Sequence, residues 1–377
     1  VTLHSDTVLA RHWWRDGTTL DLHNDPDLSA VAVRSFAGTK AESEFRRFSH
    51  KARRLFEAFD APVMQEPSPR LGALAVHVMK TPGLIPSMAP GLTLAQKLRF
   101  QFSDTRLQQL FGRYATYVGG SPYLSPAILG LIWHSEASGV WAVEGGMHRL
   151  AKAIHELARA RGATFRFSTT VQQIETQDGR CSSVCLADGT RLQADLVLFN
   201  GDPKALHDGL LGKGAADAVP KQAVSPRSLS AFVWGFAAQP KGVELAHHNV
   251  FFCDNPKTEF DDIAKGRMPR DATLYVCAQD RGGATRPTGP ERFEIIMNGP
   301  PGQRSTPEER QTCRTRTFAT LEKMGLTFSP VPDDTYLTTP ADFDRAFPAS
   351  DGSLYGRSPH GMMATFHRPA ARTAVPG

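Results

Sequence analysis

A chain of 377 residues, 41 % of them hydrophobic, with a formal charge of +5 and a pI near 9.0, can form two domains or one large domain with an insertion. No run approaches the roughly eighteen uncharged apolar residues of a membrane-spanning helix, and no basic, apolar leader opens the chain, so any membrane contact is expected to be peripheral. The five cysteines form no CxxC, and the modest basic excess includes no run with interleaved aromatics; these features point to reduced thiols in a cytosolic protein and away from zinc and nucleic acid.

In chain order, residues 8–14 and 18–22 read as strands joined by an Asp16-Gly17 hairpin signal. Two helical patterns follow. The second, over 42–59, sets Phe45, Phe48, Ala52, Leu55, Phe56 and Phe59 on one face, with Arg46, Arg47, Lys51, Arg53 and Arg54 largely elsewhere; it reads as a core-facing stripe under a solvated basic face. Over 71–98, Pro82, Pro86 and Pro90 break an apolar stretch into short helices, and Leu71, Leu74, Val76, Val78 and Met79 form its most apolar patch. Core packing and a shallow dip into lipid both fit that patch. Residues 102–136 read as mostly helical, with His134 as a structural histidine.

Residues 139–203 carry the clearest pattern. After Gly145 and Gly146, the residues Met147, Leu150, Ala151, Ile154, Leu157 and Ala158 recur at helical spacing, and Gly162 stands where a left-handed cap belongs. Asp178-Gly179 and Asp188-Gly189 signal hairpins, and the apolar run 194–200 suits a buried strand. Four β-like runs come next, at 228–238, 248–252, 273–278 and 293–298, and suggest a second sheet. Residues 282–302 should form surface loops around the last of these runs. The helix 307–324 is signposted by Thr306, Pro307, Glu309 and Gly325, with Phe318, Leu321 and Met324 expected to be buried.

The words GVWAVEGGM and ADLVLFNGDP that bound 139–203 resemble the returning half of the flavin-binding domain of carotenoid desaturases, the bacterial phytoene desaturase family. FGRYATYVGGSPYLSPAILGLIWHSEASGVW and GSLYGRSPHGMMATFHRP are similar to its hydroxyneurosporene (methoxyneurosporene) desaturase branch, which introduces the 3,4 double bond of 1-hydroxycarotenoids. The resemblance spans essentially the whole chain and implies an α/β (α+β mixed) protein. In this reading, part of a Rossmann-like, amine-oxidase-type FAD domain joins a substrate domain of sheet and helices. The implied division is 1–138 substrate domain with a helical lid, 139–203 FAD domain, 204–350 substrate domain, and 351–377 returning toward the FAD domain. The family's glycine fingerprint and its glycine-rich closing segment are absent, so the chain reads as a fragment expected to be inactive alone. Phytoene desaturase, carotenoid isomerase and a non-catalytic carotenoid or lipid binder are the alternatives.

Removing two hydrogens from adjacent carbons of a polyene needs an acceptor that no side chain provides, whereas a flavin does. There is no GxSxG, HExxH or His-x-His, so hydrolytic and metal catalysis find no support and no metal is expected. By the resemblance, Asp104 in FSDTRLQQLF faces the substrate near the flavin, with Gln108 where relatives carry arginine. On a helix Asp104 and Arg106 would point to different faces, and a carboxylate interacting with the helix dipole is the alternative role for Asp104. The resemblance also places the backbone of Val171 at the adenine and Asn200 and Gly201 beside the nucleotide, while Gly145 and Gly146 allow close approach at a helix start. The implied partners are an acyclic carotenoid and a membrane surface, with a cytoplasmic location against the inner, photosynthetic membrane.

Overall fold

The structure is a computed structural model that describes residues 1–66, 71–282, 287–302, 304–369 and 373–377. Its strands, in chain order, are β1 (Leu3–Ser5), β2 (Val8–Trp13), β3 (Thr19–His23), β4 (Trp141–Val143), β5 (Val171–Gln177), β6 (Arg180–Leu186), β7 (Arg191–Gln193), β8 (Ser230–Gly242), β9 (His248–Phe251), β10 (Leu274–Ala278), β11 (Glu291–Gly299), β12 (Leu326–Ser329) and β13 (Leu337–Thr338). Eight of them form one mixed sheet in the order β12-β8-β11-β10-β9-β2-β3, with β13 also paired to β8. Every pairing in it is antiparallel except β2 with β9. The expected first hairpin and second sheet therefore belong to a single sheet.

Alternation along the strands gives this sheet two different faces. Phe232, Trp234 and Phe236 of β8, Val276 and Ala278 of β10, and Phe293, Ile295 and Met297 of β11 pack with Cys313 and Leu321 of the helix Pro307–Lys323. That helix carries the expected capping box between Thr306 and Glu309, and Phe318 and Met324 lie partly buried against the same core. On the other side, a second core joins Leu9, Leu20 and Leu22 to Phe45, Phe48, Phe102, Phe111 and Trp133 from the helices of the first 140 residues. Each buried side chain of this size contributes on the order of 1.5–3 kcal/mol. The rings of Phe48 and Phe111 lie 4.6 Å apart, and those of Phe102 and Phe111 stack at 5.1 Å.

The helix Pro26–Phe59 contains both expected helical patterns, divided by the non-helical Gly38 at φ 88. Its aromatic stripe faces the core, with Phe56 half-buried, and Arg47, Arg53 and Arg54 are exposed. In the helix Leu71–Lys80 the apolar patch is divided: Leu74 packs on Leu55 and Phe59 with Val78 beside it, while Val76 and Met79 are exposed. The side chain of Leu71 lies outside the described residues, as do positions 283–286 of the expected 282–302 loop.

Of the expectations over 139–203, the helix holds and the buried strand needs correction. The helix Met147–Ala160 forms, capped by Gly162 at φ 93, but Met147, Ile154 and Leu157 are exposed. The run 194–200 is not a strand, and Leu198 is 86 % exposed. Apolar composition marks a face that can be buried; burial itself needs a partner surface, and a strand needs a neighbour to receive its N–H groups. Among the described residues, β7 pairs only with β6, and the last backbone bond of that ladder runs from the Ala194 N–H to the Ser182 carbonyl at 3.1 Å. The β5-β6-β7 meander does form, with Asp178 and Gly179 both at positive φ as a tight hairpin turn requires.

Candidate active site

Between the second face of the sheet and the helical segments Thr105–Gly112, Arg113–Val118 and Ile132–Ala137 lies a cavity of about 590 Å³. Leu9, Leu110, Ile132, Val140, Val233, Val250 and Ile296 give it apolar walls. A second cavity of about 200 Å³ shares Arg113, Thr116 and Asn298 with it. A third, of about 360 Å³, shares Leu354 and Tyr355 and is bounded by Asn200 and Gly201. The three therefore adjoin one another in series, separated by the side chains they share.

Polar groups in this space are mostly satisfied. Glu136 accepts hydrogen bonds from Tyr114 at 3.0 Å and Tyr117 at 2.8 Å; burial raises its carboxyl above the usual range although both bonds oppose the shift. Glu259, at the far end, is raised by burial too and accepts from the Thr273 N–H at 3.3 Å and the Cys253 thiol at 3.4 Å. Arg113, at the junction of two cavities, makes no ion pair among the described residues and lies 5.4 Å from the Tyr275 ring centre. Glu294 has neither an ion pair nor a hydrogen bond among the described residues, and burial alone raises its carboxyl.

Beside His248 the cavity wall leads into a cluster that spacing did not reveal. His247 Nδ1 lies 2.7 Å from Asp6 Oδ2, His248 Nδ1 lies 2.6 Å from the Tyr275 hydroxyl, and the two imidazoles stack at 4.2 Å. One donor atom each from His247, His248 and Cys277 falls within 4.8 Å of the others. The residues come from β9 and the position before it, from β10 and from the link between β1 and β2, and only the His247-His248 dipeptide could have signalled them. Burial would lower the His247 pKa, but Asp6 and Cys277 outweigh it and push it to about 9; burial, helped by the charge on His247, drops His248 to about 4.

Asp104 is not in the cavity series. Its backbone is extended, at φ −81 and ψ 123, and it caps the helix Thr105–Gly112 by accepting from the Arg106 N–H at 2.8 Å. The Arg106 guanidinium closes on the same carboxylate at 2.7 Å, contrary to the expectation of different faces, because a cap residue lies outside the helical repeat. Burial opposes the charge on Asp104, yet the bonds from Arg106 leave its pKa below the ordinary value. Gln108 donates to the Phe102 carbonyl and reaches the second cavity.

Of the nucleotide positions, Asn200 and Gly201 border the third cavity, whereas Val171 opens β5 opposite Leu186 and borders none of the three. Gly145 and Gly146 make the turn before the helix Met147–Ala160, at φ 79 and 90, and a Cβ on Gly146 would come 3.4 Å from the Arg292 guanidinium. The same cavity is lined by Arg357 and Arg368, which among the described residues donate only to backbone carbonyls and, in Arg357, toward His367. Two guanidinium groups with no carboxylate partner among the described residues, beside an exposed glycine turn, suit the phosphates of a flavin nucleotide. Arg227 in the same wall is instead paired with Asp202.

The family described as flavin containing amine oxidoreductase matches residues 11–232. The chain is 55 % identical to hydroxyneurosporene desaturase of Cereibacter sphaeroides over all of its own length and 76 % of that protein. It is 49 % identical to hydroxyneurosporene desaturase of Rhodobacter capsulatus over 98 % of its length and 75 % of that protein. It is also 27 % identical to 1-hydroxycarotenoid 3,4-desaturase of a Flavobacterium species over 95 % of its length and 73 % of that protein. The chain belongs to the flavin-containing amine oxidoreductases and, within them, to the carotenoid desaturases.

Proposed function

We propose that this protein is an FAD-dependent desaturase of an acyclic 1-hydroxycarotenoid, forming its 3,4 double bond. The observation that carries the reading is the row of three adjoining cavities, apolar along the middle and bordered at one end by Asn200, Gly201, Arg357 and Arg368. A polyene lying between the second face of the sheet and the helix Thr105–Gly112 would be shielded from water by Leu110, Val233, Val250 and Ile296. Bound flavin would supply the two-electron acceptor that the side chains lack. Arg357 and Arg368 would hold its phosphates, and Gly145 and Gly146 would let the chain pass close to it.

No helix among the described residues is long and apolar enough to cross a membrane. Substrate entry from a bilayer is therefore assigned to a peripheral surface where Met64, Val76, Met79 and Ile85 are exposed, on the cytoplasmic side of a pigment-bearing membrane. The test is to produce the protein from its native gene and supply FAD, an electron acceptor and liposomes containing a 1-hydroxylated acyclic carotenoid. The expected product has two fewer hydrogens and a longer-wavelength absorption. Tight carotenoid binding with no product under any acceptor would mark a binder instead.

A further inference from the structure

The cavity-facing side of the sheet is ordered in rows. Register pairs Glu294 with Gly235 on one side and Cys277 on the other, and Cys277 with His248; paired residues share a face. The next row is Val233, Ile296, Tyr275 and Val250, and beyond it Ala231 stands opposite Asn298. One end of the cavity thus carries the Glu294 carboxyl and the His248 imidazole, with Cys277 between them in the same row, while the middle is apolar apart from the Tyr275 hydroxyl, which is engaged by His248.

Most of the other polar groups bordering this cavity have protein partners. Tyr114 and Tyr117 donate to Glu136, Ser230 to the Gly352 carbonyl, and Thr116 to the Arg113 carbonyl, while the His12 ring bonds the Leu20 carbonyl. Glu294 has none among the described residues, and beside it Gly235 leaves room: a Cβ there would meet no atom within 4 Å. A half-buried acceptor without a donor is costly, and a ligand that brings a donor offsets the cost. We propose that this row is a hydroxyl-binding subsite, in which the carboxyl of Glu294 takes a hydrogen bond from an alcohol at one end of a long apolar ligand.

The proposal rests on the carotenoid reading and adds to it which end of the molecule is recognised and by what. An uncharged alcohol also suits the surroundings: burial holds the Glu294 carboxyl above the usual carboxylate range, and His248 is neutral near pH 7 because its pKa is lowered to about 4. Arg113, which makes no ion pair among the described residues, lies off this row beside the Tyr275 ring, where an extended chain would pass it.

The test is equilibrium binding of two acyclic carotenoids of equal length, one with and one without a terminal hydroxyl, read from quenching of tryptophan emission. The wild-type protein should favour the alcohol by about tenfold or more. Glu294→Leu should bring the two affinities together while keeping that for the hydrocarbon, which also reports that the variant is folded. Gly235→Val, which fills the space beside Glu294, should cut the preference independently. Hydrocarbon binding with the preference intact in both variants would overturn the subsite and leave the carotenoid reading standing. Failure of the wild-type protein to bind either carotenoid would overturn both.

Discussion

His247 and Asp6, separated by 241 positions in sequence, meet at 2.7 Å where the first strands of the chain reach the cavity wall. Both side chains are about nine-tenths buried. The folded pKa of His247, about 9, lies above its ordinary value of 6.5, so the stability this contact contributes is complete below pH 6.5 and lost as pH rises toward 9. His248 and His12, both near 4 through burial, act in the opposite sense and cost stability as pH falls from 6.5 toward 4. Unfolding free energy should therefore peak near pH 6.5 and fall on the alkaline side by on the order of a few kcal/mol. Asp6→Asn should flatten the alkaline limb; denaturant titrations that give both proteins the same loss of unfolding free energy between pH 6.5 and 9 would contradict the assignment.

Asp104 should matter to stability first. As a helix cap gripped by Arg106, its replacement by Ala should cost about 1–2 kcal/mol, with measurable coupling to Arg106→Ala in a double-mutant cycle. Carotenoid binding should be unchanged. Loss of turnover with the thermal midpoint unaltered would instead place Asp104 in the reaction.

The divided patch on the helix Leu71–Lys80 gives two separable outcomes. Val76→Glu with Met79→Glu changes exposed positions and should release the protein from liposomes without unfolding it. Leu74→Glu places a charge against Leu55 and Phe59 and should destabilise by several kcal/mol. Unchanged liposome binding in the double variant would remove this surface from membrane contact.

What could be read from the sequence was what local chemistry decides. The Asp16-Gly17 and Asp178-Gly179 turns, the Thr306 capping box and the strands of the large sheet all depend on neighbours a few residues away. The exposed face of the helix Met147–Ala160 and the unpaired run 194–200 depend on a covering surface that periodicity cannot supply. Glu294 was missed for a related reason: alternation marks a polar residue in a strand as facing water, and only the folded sheet shows it facing a cavity. The cluster of His247, Cys277 and Asp6 is set by register across strands, which spacing along the chain does not reveal. A carboxylate at a helix start was one of the two roles legible for Asp104, but its contact with Arg106 was not, because a cap obeys different geometry from the helix it begins.

The central claim is that the space between the sheet and the helix Thr105–Gly112 holds a carotenoid. Val233 lies in the middle row of the cavity, and Val233→Trp would fill the space with an indole while leaving the opposite core face of β8 untouched. The measurement is the affinity of this variant for a 1-hydroxylated acyclic carotenoid beside its thermal midpoint. Binding should be lost with the midpoint held within a few degrees. Undiminished carotenoid affinity in a folded Val233→Trp protein would contradict the account.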